Sequence, residues 1–422
     1  MNAIQKIKGV ADLFEPDSTA FTRLETVARE VFGRFGYAEL RVPVLEKTEL
    51  FARSIGEETD VVQKEMYTFP DRKGRLLTMR PEATAGIMRA CIENKVFAEK
   101  PVVKLFSFGP MFRYERPQKG RMRQFHQLDA ELLGPKEPEA DAEVLLMLWT
   151  YLRELGLQKL CFELNSLGCA RCRPGYRQAL VDYFSGLAPA ALCEDCRRRT
   201  NTNPLRVLDC KVPGCKAATA GAPLITDHLC PDCAAHFASL RAALDAQGVE
   251  YTLNPRLVRG LDYYVGTTFE ITSSDIGSQT AVAGGGRYDG LVRDLGGPDV
   301  AGIGFAIGME RLAMLLPGVK PEAPDFFLAL LDQGAAGAAL ALAQRLRGMG
   351  LRGDMDFTAG SPKSRLRAAG KSGARFCLLL GADELNRGTV QAKDLAGGGQ
   401  TEVPLEDLTA LAALFETPGS EA

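Results

Sequence analysis

The segment Phe112–Phe125 carries five cations (Arg113, Arg116, Lys119, Arg121 and Arg123) and a single acid, Glu115. Guanidinium forks grip phosphate oxygens bidentately and stay charged. Strand-borne arginines can therefore orient a triphosphate without a glycine loop. The alternative is a solvated hairpin whose arginines simply face water. Just downstream, Gln127, Asp129 and Glu131 alternate with apolar residues up to Leu133. Arg121, Gln127 and Glu131 share one parity, which a strand's two-residue period places on one face. Polar groups where a sheet would bury apolar ones demand partners, and a ligand's amine or ring nitrogen is one candidate.

Cysteine offers a second chemistry. Cys169 and Cys172, Cys193 and Cys196, Cys210 and Cys215, and Cys230 and Cys233 form close pairs within a short stretch. Such knuckle-like spacing suits tetrahedral Zn–S₄ sites, and these thiolates would serve one or two structural Zn²⁺ ions. His228 and His236 could replace a thiolate, and unliganded thiols are the alternative. Two phosphate motifs fail. Ala369-Gly370-Lys371-Ser372 resembles the end of a P-loop, but Arg365 stands where its first glycine belongs. Gly302-Ile303-Gly304 lacks the third glycine of a dinucleotide fingerprint.

The elements that must position these residues fall into three regions. A chain of 422 residues, 46% hydrophobic and 25% charged, supports two to four domains. The first region starts with a helical pattern from Ala20 to Phe35, followed by an extended stretch, Leu40–Leu45. Pro43 marks that stretch as an edge or interface strand. Two β-rich runs, 102–114 and 121–134, meet at a tip formed by Pro117–Gly120, and a helix is expected over Asp141–Leu155. The cysteine-rich region interrupts at about 165–250. β pattern resumes from Leu257 to Ile271 and at Thr280–Ala283, ahead of Gly284-Gly285-Gly286, and a helical pattern closes from Ile307 to Leu316. After the linker Pro317–Pro324, strand-like and helix-like segments alternate as in a small parallel α/β domain.

The net charge of −2 announces no nucleic-acid partner globally, so local basic faces must serve. One runs through Lys363, Arg365, Arg367, Lys371 and Arg375 without an acid. The N-terminal residues lack the apolar core of a secretory signal. The apolar stretch Phe326–Ala343 is broken by Asp332, Gln333 and Gly334 and is too short to span a bilayer. No membrane association and a cytoplasmic location are expected.

At this point a resemblance becomes specific. Phe112–Gln127 resembles motif 2 of the class II aminoacyl-tRNA synthetases, in the form found in histidyl-tRNA synthetases. Leu257-Val258-Arg259-Gly260-Leu261-Asp262-Tyr263-Tyr264 and Ala283-Gly284-Gly285-Gly286-Arg287-Tyr288-Asp289-Gly290 resemble that family's two histidine signatures. Gly302–Leu312 is similar to motif 3, and Leu40–Leu45 to motif 1, which forms a dimer interface in the class. The motifs follow in the expected order over nearly the whole chain.

The resemblance implies an α+β protein. An antiparallel-sheet class II catalytic core over 1–324 is interrupted by the Cys-rich insertion, and an α/β anticodon-binding domain covers 325–422. It implies a histidine–tRNA ligase. ATP, with Mg²⁺, activates L-histidine to histidyl-adenylate, pyrophosphate leaves, and histidine passes to the 3′ end of tRNA(His). Glu82 and Thr84 match residues that hold the α-ammonium, with Ala83 where the family often has glycine. Gln127 and Glu131 position the substrate, and Glu131 and Tyr264 read the imidazole. A neutral imidazole offers one donor and one acceptor, which a carboxylate and a phenol would satisfy. Tyr263 and Tyr288 complete the walls, core aromatics being their alternative. Arg113 matches the α-phosphate contact, Arg311 the γ-phosphate contact, and Arg121 belongs to the same ATP set. Arg259, in strand-like context, would stand beside the α-phosphate opposite Arg113, unless it is a structural salt bridge, for instance to Asp262. Arg116 and Gln118 would face the tRNA acceptor end, and a homodimer is expected. The rivals are the synthetase-like regulatory subunit of ATP phosphoribosyltransferase and a non-enzymatic zinc-ribbon RNA-binding protein.

Overall fold

A computed structural model describes residues 3–56, 59–276 and 280–416. The chain divides into one compact unit over 1–319 and a second over 320–422. In the first unit the opening helix, Asp17–Arg34, buries Phe21, Leu24, Ala28, Val31 and Phe32, a three- and four-residue spacing that makes one apolar stripe. Gly36 ends it at φ +80°, a backbone conformation glycine adopts without strain. A second helix, Pro138–Glu154, begins with proline and two acids and ends near Arg153, matching the helix dipole. Val144, Leu145, Leu148 and Tyr151 join the same core.

These helices belong to the core of an eight-stranded sheet. Its order is Ala38–Glu39, Val103–Phe112, Gln124–Gly134, Ala301–Gly308, Ala281–Arg287, Val265–Thr272, Cys161–Ser166 and Thr252–Leu253. The two outermost pairs are parallel and the rest antiparallel. The strand Gln124–Gly134 shows why parity mattered. Leu128, Ala130 and Leu132 enter the core, while Gln127, Asp129 and Glu131 point the other way. Opposite those three stand Gly308, Ala306 and Gly304 on one neighbour, and Gly109, Ser107 and Leu105 on the other. Mostly small residues flank the polar ones and leave room above them.

Four sequence expectations change. Arg121 precedes the strand, so its parity does not place it; a hairpin turn does, with Gln118 and Arg121 exchanging backbone hydrogen bonds at 2.9 Å. Leu40–Leu45 is not a strand. The ladder runs out at the bond from Leu40 N to Phe106 O, 2.8 Å, and Pro43 has no N–H to extend it. Leu45–Lys47 instead joins a separate three-stranded sheet with Tyr67–Pro70 and Leu76–Met79. The glycine run Gly284–Gly286 lies inside its strand rather than after it. Leu257–Tyr264 is irregular, and regular pairing starts only at Val265. Its carbonyls are taken by side chains: Leu257 O accepts from Asn165 Nδ2 at 2.9 Å and Arg259 O from Arg206 at 2.9 Å, and Tyr264 O accepts from Arg173.

The cysteine-rich stretch folds around its own small core, with Tyr176, Leu180, Phe184, Val207 and Ile225 buried together. Its last helix, Pro231–Ala246, is shared: Phe237, Leu240 and Leu244 belong to the main core.

The second unit holds a five-stranded sheet ordered Gly353–Met355, Phe326–Leu330, Phe376–Leu380, Thr389–Asp394 and Gln400–Pro404. The first three are parallel, as the alternating pattern predicts, and the last two add an antiparallel edge. Residues 417–422 of the expected third region lie outside the described residues. The basic helix Pro362–Ser372 leaves Lys363, Arg367 and Lys371 exposed at four-residue intervals. Arg365 instead pairs with Asp356 at 2.9 Å, and Arg375 donates to Phe415 O at 3.1 Å.

Candidate active site

One pocket of the first unit gathers Glu82, Thr84, Gln127, Glu131, Tyr263, Tyr264, Tyr288, Arg113, Arg121, Arg259 and Arg311. Arg116 and Gln118 are exposed on the hairpin tip and do not line it.

At one end three carboxylates are buried together. Glu82 caps the helix Thr84–Glu93: its Oε1 accepts from Ala85 N at 2.9 Å. Its Oε2 has no partner among the described residues. Ala83 is buried in a helical conformation at φ −97°, which alanine adopts as readily as the glycine frequent in the resembled family. Glu131 Oε1 accepts from Thr84 Oγ1 at 2.7 Å, and Tyr288 OH donates to its other oxygen. Asp129 has neither carboxylate oxygen paired among the described residues, and Gln127 Oε1 is likewise unmatched. Burial pushes the Glu131 carboxyl up to about 8, with the Glu82 charge adding to the rise against the bonds from Tyr288 and Thr84. Burial also pushes Glu82 upward, and Asp129 well upward, where Glu131 and Glu82 reinforce it. Buried acceptors without partners are costly, so this end is built for a ligand bearing N–H donors and positive charge. Tyr263 packs against Tyr264 at 4.6 Å between ring centroids and against Tyr288 at 5.7 Å, forming an aromatic wall beside the carboxylates.

The other end is cationic, and each guanidinium is aimed by a backbone or acidic partner. Arg113 Nε donates to Pro81 O at 2.9 Å, and its head lies 5.3 Å from the Phe125 ring centroid. Arg311 donates to Gly120 O and Ala281 O, both at 2.7 Å, tying the hairpin to the strand Ala281–Arg287. Arg121 is bound to Glu115, with its NH2 2.9 Å from Oε1. Arg259 pairs with Glu270 at 2.6 Å rather than with Asp262, which accepts from Asn203 at 3.0 Å. The Arg259 head sits 5.9 Å from the Tyr264 ring, and its Nε is unmatched among the described residues.

Glu270, which holds Arg259, carries no signal in the sequence, whereas Gly284 and Gly304 stand there only as members of the second histidine signature and motif 3, and Asp129 only as a polar residue in an apolar run. A Cβ on Gly284 would meet the Arg259 guanidinium, and one on Gly304 would meet the Glu131 carboxylate. Glycine inside a strand signals such a close approach, and that signal was available.

Among the described residues the cysteines gather into two sets, Cys169, Cys172, Cys230 and Cys233, and Cys193, Cys196, Cys210 and Cys215. All sulfurs within a set lie within 4.8 Å of one another. Sγ separations of 3.7 Å for Cys169–Cys172 and 3.9 Å for Cys169–Cys230 and Cys193–Cys210 approach the about 3.8 Å edge of a tetrahedron with Zn–S near 2.3 Å. Backbone N–H groups also point at sulfur: Cys230 N to Cys172 Sγ and Cys193 N to Cys215 Sγ, both 3.1 Å. The N–H of Cys196 leads in pulling the Cys193 thiol down to about 7, while burial pushes the thiols of Cys196 and Cys215 in the same set upward. The histidines do not take part. His236 Nε2 is 2.8 Å from Asp141, and His228 packs on Tyr176 at 5.4 Å.

Strand- and loop-borne arginines at one end of a pocket, and buried carboxylates at the other, on an antiparallel sheet, place the chain among the class II aminoacyl-tRNA synthetases. Residues 9–312 match the family model for histidyl-tRNA synthetase, and 325–412 that for an anticodon binding domain. The chain is 64% identical over 403 residues to the histidine–tRNA ligase of Nitratidesulfovibrio vulgaris strain DP4, covering 96% of this chain and 97% of that one. It is 64% identical over 410 residues to that of Solidesulfovibrio magneticus, covering 97% of each. The crystal structure of apo S. aureus histidyl-tRNA synthetase superposes with a TM-score of 0.80 at 34% identity, over 98% of this chain and 100% of that one. This chain belongs to the histidyl-tRNA synthetase family.

Proposed function

We propose that this pocket activates L-histidine with ATP, releasing pyrophosphate, and then passes histidine from the adenylate to the 3′ end of tRNA(His). The observation that carries the histidine reading is Glu131, a buried carboxylate braced by Thr84 and Tyr288 beside the tyrosine wall. Ionised, it accepts from one imidazole nitrogen while the Tyr264 phenol donates to the other, so apolar isosteres would leave both groups unpaired. Glu82, Gln127 and Asp129 supply acceptors for the α-ammonium. The family resemblance supports Glu82 in this role, together with Thr84, and the unmatched oxygens support all three acceptors.

ATP lies across the arginines, with Arg113 and Arg259 at the α-phosphate and Arg311 and Arg121 toward the β- and γ-phosphates. The histidine carboxylate oxygen attacks the α-phosphorus and the bond to the bridging oxygen of pyrophosphate breaks. Both reactants are anionic, so the protein's work is positioning and charge neutralisation. Mg²⁺ would travel with the phosphates, supplying further charge neutralisation. Glu310 lines the pocket, its oxygens each 2.9 Å from His126 N, and is the carboxylate that would meet its water shell.

Arg116 and Gln118 meet the acceptor end of tRNA, supported by their exposure on the tip. The second unit binds the anticodon through the face of Lys363, Arg367 and Lys371. The two cysteine sets each hold a structural zinc ion, supported by their tetrahedral spacing. A homodimer through the motif 1 region is supported by apolar Leu45, Phe69 and Leu76, exposed on the three-stranded sheet. Among the described residues no helix is long and apolar enough to cross a membrane. ATP–pyrophosphate exchange measured with each amino acid in turn tests the reading: histidine alone should support it. Exchange driven by another amino acid, or by none, would overturn it.

A further inference from the structure

The loop Leu257–Tyr264 carries Arg259, Tyr263 and Tyr264 into the pocket yet belongs to no strand or helix. Its position depends on tethers, some from the main sheet, such as Asn165 on Leu257 O, and three from the cysteine-rich insertion. Arg173, the residue after Cys172, donates to Tyr264 O and, at 3.4 Å, to Leu167 O. Arg206 donates to Arg259 O at 2.9 Å, and Asn203 to Asp262 at 3.0 Å. Both Asn203 and Arg206 lie on the segment strung between Cys196 and Cys210, two members of one cysteine set. Val258 and Tyr264 pack into a buried cluster, but the packing at the seam is incomplete. A cavity lies along the seam between insertion and loop, lined by Arg173, Pro204, Leu205, Val258, Leu261 and Tyr264.

We infer that zinc in the two cysteine sets positions the catalytic loop, the first set through Arg173 on Tyr264 and the second through Arg206 on Arg259. The inference rests on the zinc reading given above and adds a division of labour. Without metal, only weak contacts such as Cys230 N to Cys172 Sγ and Cys193 N to Cys215 Sγ join the distant segments of each set, and the origin of the arginines is held less firmly. Arg173 and Arg206 are positioning residues: they touch the backbone of pocket residues, not the reactants. Tyr264 faces the imidazole, so loosening its carbonyl should weaken histidine binding. Arg259 acts at the α-phosphate, so loosening its carbonyl should slow the chemical step.

The test uses full-length protein, elemental analysis for zinc, and histidine-dependent pyrophosphate exchange. Arg206→Met keeps the apolar stem and should retain zinc, while kcat falls about 10- to 100-fold, as expected for a slightly misplaced catalytic group. Its histidine KM should stay within about threefold. Arg173→Met should do the reverse, raising histidine KM about tenfold with a smaller change in kcat. Arg→Lys at each position should recover part of the loss, because a donor returns without the planar fork. The double variant Cys193→Ser with Cys196→Ser should lose the zinc of its own set only and reproduce the Arg206→Met kinetics.

Wild-type protein without zinc would overturn both the zinc reading and its coupling to the loop. A double variant that loses one zinc yet exchanges at the wild-type rate would leave the zinc reading standing and overturn the coupling. Should that variant not fold, the arginine variants decide. Unchanged kinetics, or equal changes of kcat and KM in both, would overturn the inference.

Discussion

The guanidinium of Arg259 lies directly over the backbone of Gly284, close enough that a single methyl there would collide with it. Glu270, on the neighbouring strand, holds that guanidinium at 2.6 Å. The atoms a Cβ would strike are the far end of a flexible side chain, so the fold can absorb the change while the guanidinium cannot keep its place. Gly284→Ala should therefore fold normally and slow adenylation in the manner of Arg259→Ala, by about 10²–10⁴-fold, the range seen for lost oxyanion donors and arginine fingers. Histidine affinity should change little in either variant. A folded Gly284→Ala enzyme with near-normal pyrophosphate exchange would show that Arg259 is structural.

Glu131 predicts a proton. Burial holds its carboxyl at about 8, so at pH 7 the free pocket is mostly protonated there, whereas accepting from an imidazole N–H requires the ionised form. Histidine binding between pH 6.5 and 7.5 should release close to one proton, and affinity should rise with pH until about 8. Calorimetry in two buffers of different ionisation enthalpy measures the release directly; none would mean the protonated acid donates to the ring or the imidazolium binds.

The same shift bears on stability. A carboxyl raised from 4.5 to about 8 contributes stability fully below pH 4.5, and this is lost as pH rises through about 8. Thermal unfolding of the ligand-free protein should thus be less pH-dependent over that window in Glu131→Gln than in wild type. Parallel profiles would contradict the assignment.

Protein purified without chelator should contain about two zinc ions per chain, one for each four-thiolate set. Chelation should lower the unfolding temperature of the first unit, since metal binding there is folding free energy. Elemental analysis finding well under one zinc per chain would sink this expectation.

Reversing the charge of Lys363, Arg367 and Lys371 should leave histidine-dependent pyrophosphate exchange unaltered and raise the KM for tRNA(His). It should also flatten the salt dependence of tRNA binding, because phosphate contacts release counter-ions. Adding Arg365 to the set should destabilise the second unit instead, because its guanidinium is engaged with Asp356. Unimpaired charging of tRNA by the triple variant would remove this helix from the RNA interface.

What the sequence made legible follows a physical rule. The positions of Gln127, Asp129 and Glu131 were readable because a strand imposes parity on consecutive residues, whatever surrounds it. The run from Leu257 to Tyr264 has a strand-like pattern without strand pairing, because three of its carbonyls are taken by Asn165, Arg173 and Arg206, side chains remote in sequence. Likewise Arg365 reads as one more surface cation until Asp356 is brought beside it, and Arg259 gives no hint that Glu270 is its partner. Cysteine spacing suggested tetrahedral sites but not which pairs combine. The chain fold unites the first pair with the fourth and the second with the third.

The alternation of the strand Gln124–Gly134 also guards the quality of the enzyme population. Slipping that strand by one residue would send Gln127, Asp129 and Glu131 in among Phe106, Leu145 and Phe305, and turn Leu128, Ala130 and Leu132 out into the pocket. Two carboxylates and an amide would then be stranded without partners, at a cost of several kcal/mol. A misregistered molecule is thereby driven to unfold and try again rather than linger as a well-folded but inert copy.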